Sequence, residues 1–206
     1  SDELGFRYRL AHIQNPDFAN STSGWTTEPA EPDSLARRTY PEYGYLQFRY
    51  NRDGKGDSFL WTRRSPKRAN VFSQDIKNLV PGRLYSLKMV TADHGDLVRQ
   101  RQARKSHAVS VEIENVEILP GKKKAFQAIF PNHYARPVGE FRGGKSFYMN
   151  YHWRVFRAKQ ASARLTVTDW KDGTTPGGPI GQELMFNFIE VQPYFAARPG
   201  ITGKPN

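Results

Sequence analysis

Apolar and polar positions alternate along most of this chain with the two-residue period of a pleated strand rather than the 3.6-residue period of a helix. His107–Ile113 shows it most plainly, with Val109, Val111 and Ile113 on one side and Ser110 and Glu112 between them. Tyr43–Tyr50 alternates as well: Leu46, Phe48 and Tyr50 share one face, and Tyr45, Gln47 and Arg49 share the other. The same pattern predicts strands over residues 4–13, 58–62, 70–76, 83–91, 116–119, 124–130, 146–157, 163–169 and 184–195.

Turn chemistry separates these runs. Asn15-Pro16-Asp17, the cluster Asn51–Asp57, Pro81-Gly82, Pro120-Gly121 and the Gly/Pro/Thr stretch 171–181 all interrupt the alternation. The cluster at 51–57 predicts a hairpin between 43–50 and 58–62, and Asn115 predicts a bulge. Residues 21–41 read as loop around Trp25, which is expected to pack in core or loop. Residues 92–106 read as a polar, basic, mobile excursion, and 131–144 as irregular chain. Helices are expected to be short or absent.

Many short strands with turns every roughly 8–12 residues predict an all-β fold, a two-sheet antiparallel β-sandwich of jelly-roll type. One domain is expected over residues 1–206, its core at about 4–195 and a frayed tail at 196–206.

Composition adds a core and a charge. Hydrophobic residues reach only 37%, but 13 Phe, 10 Tyr and 4 Trp supply large buried areas. The formal net charge of +11 attracts polyanions, whether nucleic acid, anionic lipid or acidic polysaccharide. With no cysteine, disulfides, thiolate metal sites and a cysteine nucleophile are all excluded. No window approaches the roughly 20 apolar residues of a membrane span, and Ser1–Gly5 does not read as a signal peptide.

The sequence resembles the carbohydrate-binding modules with the galactose-binding-like jelly-roll fold that accompany bacterial polysaccharide hydrolases. The residues that carry the likeness are Asn15-Pro16-Asp17-Phe18 with Gly24-Trp25, then Phe72–Ile76 leading into Leu79–Tyr85. The aromatic strand with Trp153 and Phe156, Leu165, and the closing Phe186–Val191 complete it. The resemblance implies a non-catalytic glycan-binding module, exported and joined to other domains of a larger polypeptide. It also raises a structural calcium, which this family often holds near the opening turn and the last strand. Ala19 and Asn187 stand where the family has acidic ligands, which leaves Asp17 and Asn187 as weak metal candidates and no cofactor expected.

A sugar site on such a sandwich needs aromatic faces with planar hydrogen-bonding groups at their edges. By strand parity the ligand-binding candidates are Tyr45, Gln47 and Arg49, then Trp61 and Arg63, then Tyr148 and Arg154, with Asn150 and His152 on the same side as the last pair. Each aromatic taken alone reads as ordinary core. The basic runs Arg63–Arg68, Arg99–Lys105 and Lys122–Lys124 would hold acidic sugars if they gathered on one side, whereas each taken alone reads as a solvated loop. Asp93-His94-Gly95-Asp96 sets an imidazole between two carboxylates, either acid–base chemistry or a turn. An interaction domain without a sugar site is the main alternative. A nucleic-acid binder is less favoured, since no recognised nucleic-acid motif is present.

Overall fold

The computed structural model of the protein describes residues 12–47, 54–120, 132–133 and 146–195. In chain order its elements are β1 (Thr26–Glu28), β2 (Leu35–Thr39), α1 (Tyr43–Leu46), β3 (Ser58–Arg63), β4 (Val71–Ile76), β5 (Leu84–Asp93) and α2 (His94–Val98). There follow β6 (Ser110–Ile113), β7 (Val116–Ile118), β8 (Asn132–His133), β9 (Ser146–Phe147), β10 (Asn150–Ala158), β11 (Ala163–Thr168) and β12 (Glu183–Pro193).

Two antiparallel sheets face each other, ordered β1-β4-β11-β6 and β2-β3-β12-β5-β10-β7, while β8 and β9 form a separate pair. Phe72, Ile76, Leu165 and Val167 of the first sheet pack with Leu60, Leu87, Met89, Phe156 and Phe186 of the second in one buried cluster. Phe18 stacks on Trp25 at 5.3 Å, and Phe72 meets both rings edge-on before reaching Phe186 at 5.0 Å. Trp25 is thus core, its Nε1 donating to the carbonyl of Asn15. The expected sandwich is the fold observed.

The opening turn is tied to the last strand. β12 shifts register between Asn187 and Glu190, where Phe188 takes a positive φ of 53°. Asp17 Oδ1 accepts the Phe188 N–H at 3.0 Å and Pro16 O accepts that of Ile189, so the bulge's amides find partners in the turn.

Several expectations are corrected. Residues 43–46 form a helical turn, not a strand. Glu42 enters it at φ 66°, and Asp57 accepts the Glu42 and Gly44 N–H groups through its two oxygens. A Cβ on Gly44 would lie 1.9 Å from the Lys55 carbonyl, so only glycine permits this close approach. β3 therefore pairs with β2, inside the expected loop 21–41, rather than with residues 43–50. At Asn115 (φ 54°) the chain does not bulge but turns from one sheet to the other, since β6 and β7 belong to different sheets. Residues 92–106 contain α2 and an anchored Lys105. The predicted strand at 124–130 lies outside the described residues, as does 4–13 apart from His12 and Ile13.

Candidate functional site

The six-stranded sheet carries a buried apolar cluster on each face. Its outer face carries a second buried cluster, in which Phe59 and Trp61 of β3, Val90 and Ala92 of β5 and Met185 of β12 pack with Tyr43, Leu46, Phe147 and Met149. That packing closes one half of the outer face.

Among the described residues nothing covers the other half. Register places Trp153 opposite Lys88, and Lys88 opposite Glu190 on the next strand, so all three side chains share the outer face. Gln192 continues that parity and donates to Glu190 Oε2 at 3.3 Å. Tyr194, just past β12, meets Trp153 edge-on at 6.1 Å and an interplanar angle of 64°. The result is an aromatic corner, half-exposed, with a cation, a carboxylate and an amide along its rim.

At the closed half's edge, Trp61 is 1% exposed. Its Nε1 donates to Glu183 Oε1 at 2.8 Å, an oxygen that also lies 3.4 Å from His94 Nδ1. The Arg38 guanidinium sits 3.6 Å over the indole and that of Arg63 5.7 Å away. Burial pulls the His94 imidazole below its usual range, with Arg38 acting in the same direction and Glu183 opposing.

The sequence candidates scatter across this scheme. Tyr45 lies half-buried in α1 against the second cluster, and Arg63 is exposed beside Trp61. Tyr148 is half-buried between β9 and β10. Gln47 is buried at the end of α1, donating to the Tyr43 carbonyl, and Trp61 is covered. Arg49 lies outside the described residues. Asn150, His152 and Arg154 face the sandwich interior, the reverse of the predicted orientation, and Arg154 is 8% exposed. Phe156 shares their parity and is core, which was the signal in the sequence that this side points inward. Trp153, Tyr194, Lys88 and Arg38 were missed.

The inward set belongs to a polar end of the sandwich. Thr91 Oγ1 lies 2.8 Å from both His107 Nδ1 and His152 Nε2, and Asn150 Oδ1 accepts the His107 N–H. Burial lowers His107 to about 4 and His152 to about 3. Asp93 caps α2 by accepting the Asp96 N–H, and Lys105 bridges both carboxylates at 2.8 and 2.7 Å. Burial would raise the Asp93 carboxyl, but bonds from Lys105 and Gln182 outweigh it and hold the group below its usual range. The Asp93-His94-Gly95-Asp96 segment is thus a helix start whose carboxylates are neutralised in place.

The basic run 63–68 divides. Arg63 lies on the outer face of the six-stranded sheet and Arg64 is buried. Lys67 and Arg68 line a concavity of about 650 Å³ beside the other sheet, where Lys67 pairs with Glu31 at 3.3 Å. Lys122–Lys124 falls outside the described residues.

The implied calcium does not fit the residues present. One atom favours an ion: Asn187 Oδ1 is buried without a partner. The neighbouring oxygens, however, already face donors. Arg37 gives Nε to Phe18 O and Nη2 to Ala19 O and Ser58 Oγ, while Asn187 Nδ2 reaches the Ser58 carbonyl. Asn15 Nδ2 spans the carbonyls of Asn20, Ser21 and Ser23 at 2.9–3.2 Å. A guanidinium at the site repels a divalent cation and serves the same carbonyls. Calcium or a chelator is therefore expected to leave the melting temperature unchanged, whereas Arg37→Ala lowers stability by about 2 kcal/mol. Calorimetry with and without each reagent checks both.

No family model matches the sequence, and no curated protein matches it. Among solved structures the chain is similar to the enzymatically active domain of a bacteriophage CBA120 tailspike protein, at 13% identity and TM-score 0.49 over 90% of this chain. This chain spans 22% of that domain's length. It is also similar to a Bacteroides thetaiotaomicron protein assigned to sugar binding, at 10% identity and TM-score 0.48, covering 89% of this chain and all of that one. A third is TmCBM61 in complex with β-1,4-galactotriose, at 10% identity and TM-score 0.42 over 89% of this chain and 99% of that one. At these identities the likeness concerns the arrangement of strands.

Proposed function

We propose that the protein is a non-catalytic carbohydrate-binding module that takes its glycan on the open half of the six-stranded sheet's outer face. The observation that carries this reading is the corner of Trp153 and Tyr194. An indole face stacks on the C–H side of a pyranose, and the second ring closes the corner. Lys88, Glu190 and Gln192 stand where they donate to and accept from the sugar's hydroxyls. Tyr45 and Tyr148, on the flank of the same face, would extend the contact to further units of a chain.

A binding role also suits the state of the acids: Glu190 at the corner itself is bonded by Gln192, and those at the other end of the sheet are engaged as well. Asp93 and Asp96 are held by Lys105, and Glu183 is engaged by Trp61 and His94. Neither arrangement leaves a pair of free carboxylates flanking a cleft, as glycoside hydrolysis requires. Export and fusion to other domains belong to the same proposal.

The test is affinity electrophoresis through neutral and acidic polysaccharides. Trp153→Ala is expected to weaken retention about ten-fold, equivalent to roughly 1.4 kcal/mol, with an unchanged melting temperature. Tyr194→Ala should act in the same direction. Absence of retention on every polysaccharide would leave an interaction domain without a sugar site as the better description.

A further inference from the structure

Arg38 and Arg63 are exposed cations held over one buried indole, and neither makes an ion pair among the described residues. The register explains how they come together. Ala36 pairs with Trp61 and Arg38 with Phe59, so Arg38 lies diagonal to the indole on the outer face, while Arg63 lies two residues along β3 on the same face. Two carboxylates are near, and both are otherwise engaged. Glu183, directly across from Arg63, directs Oε1 to Trp61 Nε1 and His94 Nδ1. Glu31 pairs with Lys67.

A guanidinium stacked on an indole loses little further freedom when it binds, and its in-plane N–H groups stay directed away from the ring. Two forks lying 3.6 and 5.7 Å from the same ring centroid can each offer two parallel N–H donors to the oxygens of a carboxylate or a sulfate. A lysine pair would give the charge without the planar geometry. The formal net charge of +11 adds long-range attraction for the same kind of ligand.

We propose that Arg38 and Arg63, laid over Trp61, form an oxyanion subsite that takes the carboxylate or sulfate group of an acidic glycan bound on this sheet face. The identity of the ligand as a glycan rests on the reading given under Proposed function; the anion site stands on the arginine geometry alone.

The experiment uses the whole chain and two kinds of probe. The Trp61 indole N–H resonance is followed while sodium sulfate replaces sodium chloride at constant ionic strength. Calorimetry then compares trigalacturonate, its fully methyl-esterified form and a sulfated galactan oligosaccharide. Sulfate should shift the indole resonance, and at least one charged oligosaccharide should bind about ten-fold more tightly than the neutral ester. Both effects should vanish in Arg38→Gln with Arg63→Gln, while affinity for the ester is kept. Arg38→Lys with Arg63→Lys should fold equally well and recover only part of the preference.

The two charged oligosaccharides separate a carboxylate from a sulfate as the natural group. Equal affinity for charged and neutral ligands, or a preference that survives the glutamine pair, overturns the subsite and leaves the glycan reading intact. A sulfate response without binding of any oligosaccharide does the reverse. An indole resonance indifferent to sulfate also overturns the subsite.

Discussion

Arg64→Met is expected to cost about 3–5 kcal/mol of stability, the largest effect of any single substitution considered for this chain. Arg64 is 1% exposed, and its side chain is the hub of the polar end of the sandwich. Nε donates to the Asp169 carbonyl at 2.8 Å and Nη2 to that of Ala108 at 2.8 Å. Nη1 donates to the Pro179 carbonyl at 3.0 Å and to Gln182 Oε1. Gln182 passes the connection to Asp93 at 2.9 Å. Methionine fills much of the volume but satisfies none of these acceptors, and each buried carbonyl left unpaired carries its own desolvation cost.

The cation also matters as a charge. Burial raises the Asp169 carboxyl above its usual range, and bonds from Asn70 together with the Arg64 charge offset part of that. The packing around the guanidinium is equally specific: a Cβ at Gly178 would come within 2.7 Å of Arg64 Nη1. Gly178→Ala should therefore destabilise in the same direction, to a smaller extent. The control is Arg63→Met, one residue away and exposed, which should change stability by no more than about 0.5 kcal/mol. Chemical denaturation of the three variants decides the matter. An Arg64→Met midpoint equal to that of Arg63→Met would mean that the buried network does not hold this end of the sandwich.

This adjacent pair also shows what could be read from the chain alone. Arg63–Arg68 looked like a solvated basic loop because charge is normally exposed. No local signal tells that Arg64 turns inward while Arg63 turns outward; the acceptors come from residues 108, 169, 179 and 182, all distant in sequence. The strands were legible where one face is apolar and the other polar, as in Leu165 and Val167 of β11. They stayed legible where turn residues bounded them, as with Pro81-Gly82 before β5.

Parity failed where both faces are buried. In β10 the polar residues Asn150, His152 and Arg154 face the interior, while the aromatic residues Tyr151 and Trp153 face outward. A reading that sends apolar side chains inward must invert such a strand, and so it chose Tyr148 and Arg154 over Trp153. Tyr43–Leu46 failed for another reason. Its alternation is genuine, but Asp57 caps the segment from across the turn and Gly44 lets the Lys55 backbone come close, so tertiary contacts override the pattern.

The inverted strand has a consequence in acid. His107 and His152 flank one hydroxyl, Thr91 Oγ1, which can donate its single proton to one imidazole while accepting from the other. That arrangement requires the ring that accepts the hydroxyl proton to be neutral. Burial is the main cause of their low affinity for protons. For His107 the Asp93 charge opposes the effect, and Lys105 and Arg64 reinforce it; for His152 the reinforcement comes from His107 and Arg154.

In an unfolded chain both rings would titrate near 6.5; in the fold they titrate at about 4 and about 3. Below pH 6.5 the unfolded chain therefore binds more protons than the folded one, and stability falls as pH falls through the interval down to about 3–4. Above pH 6.5 the pair contributes its full stabilisation. Asp169, whose carboxyl is held high, acts in the opposite sense and offsets a part. The two histidines together would lose about 6 kcal/mol between pH 7 and pH 4 and Asp169 reduces this, so a net loss of several kcal/mol is expected, visible as a lowered denaturation midpoint. His152→Gln keeps a hydrogen-bonding group at Thr91 but cannot take a proton, so its midpoint should depend less on pH whatever its stability at pH 7. Ring-proton titration by NMR gives a check independent of folding yield: two histidines titrating near 6.5 in the folded protein would show that the pair is wet, and the acid sensitivity would have to come from the carboxylates around Lys105 instead.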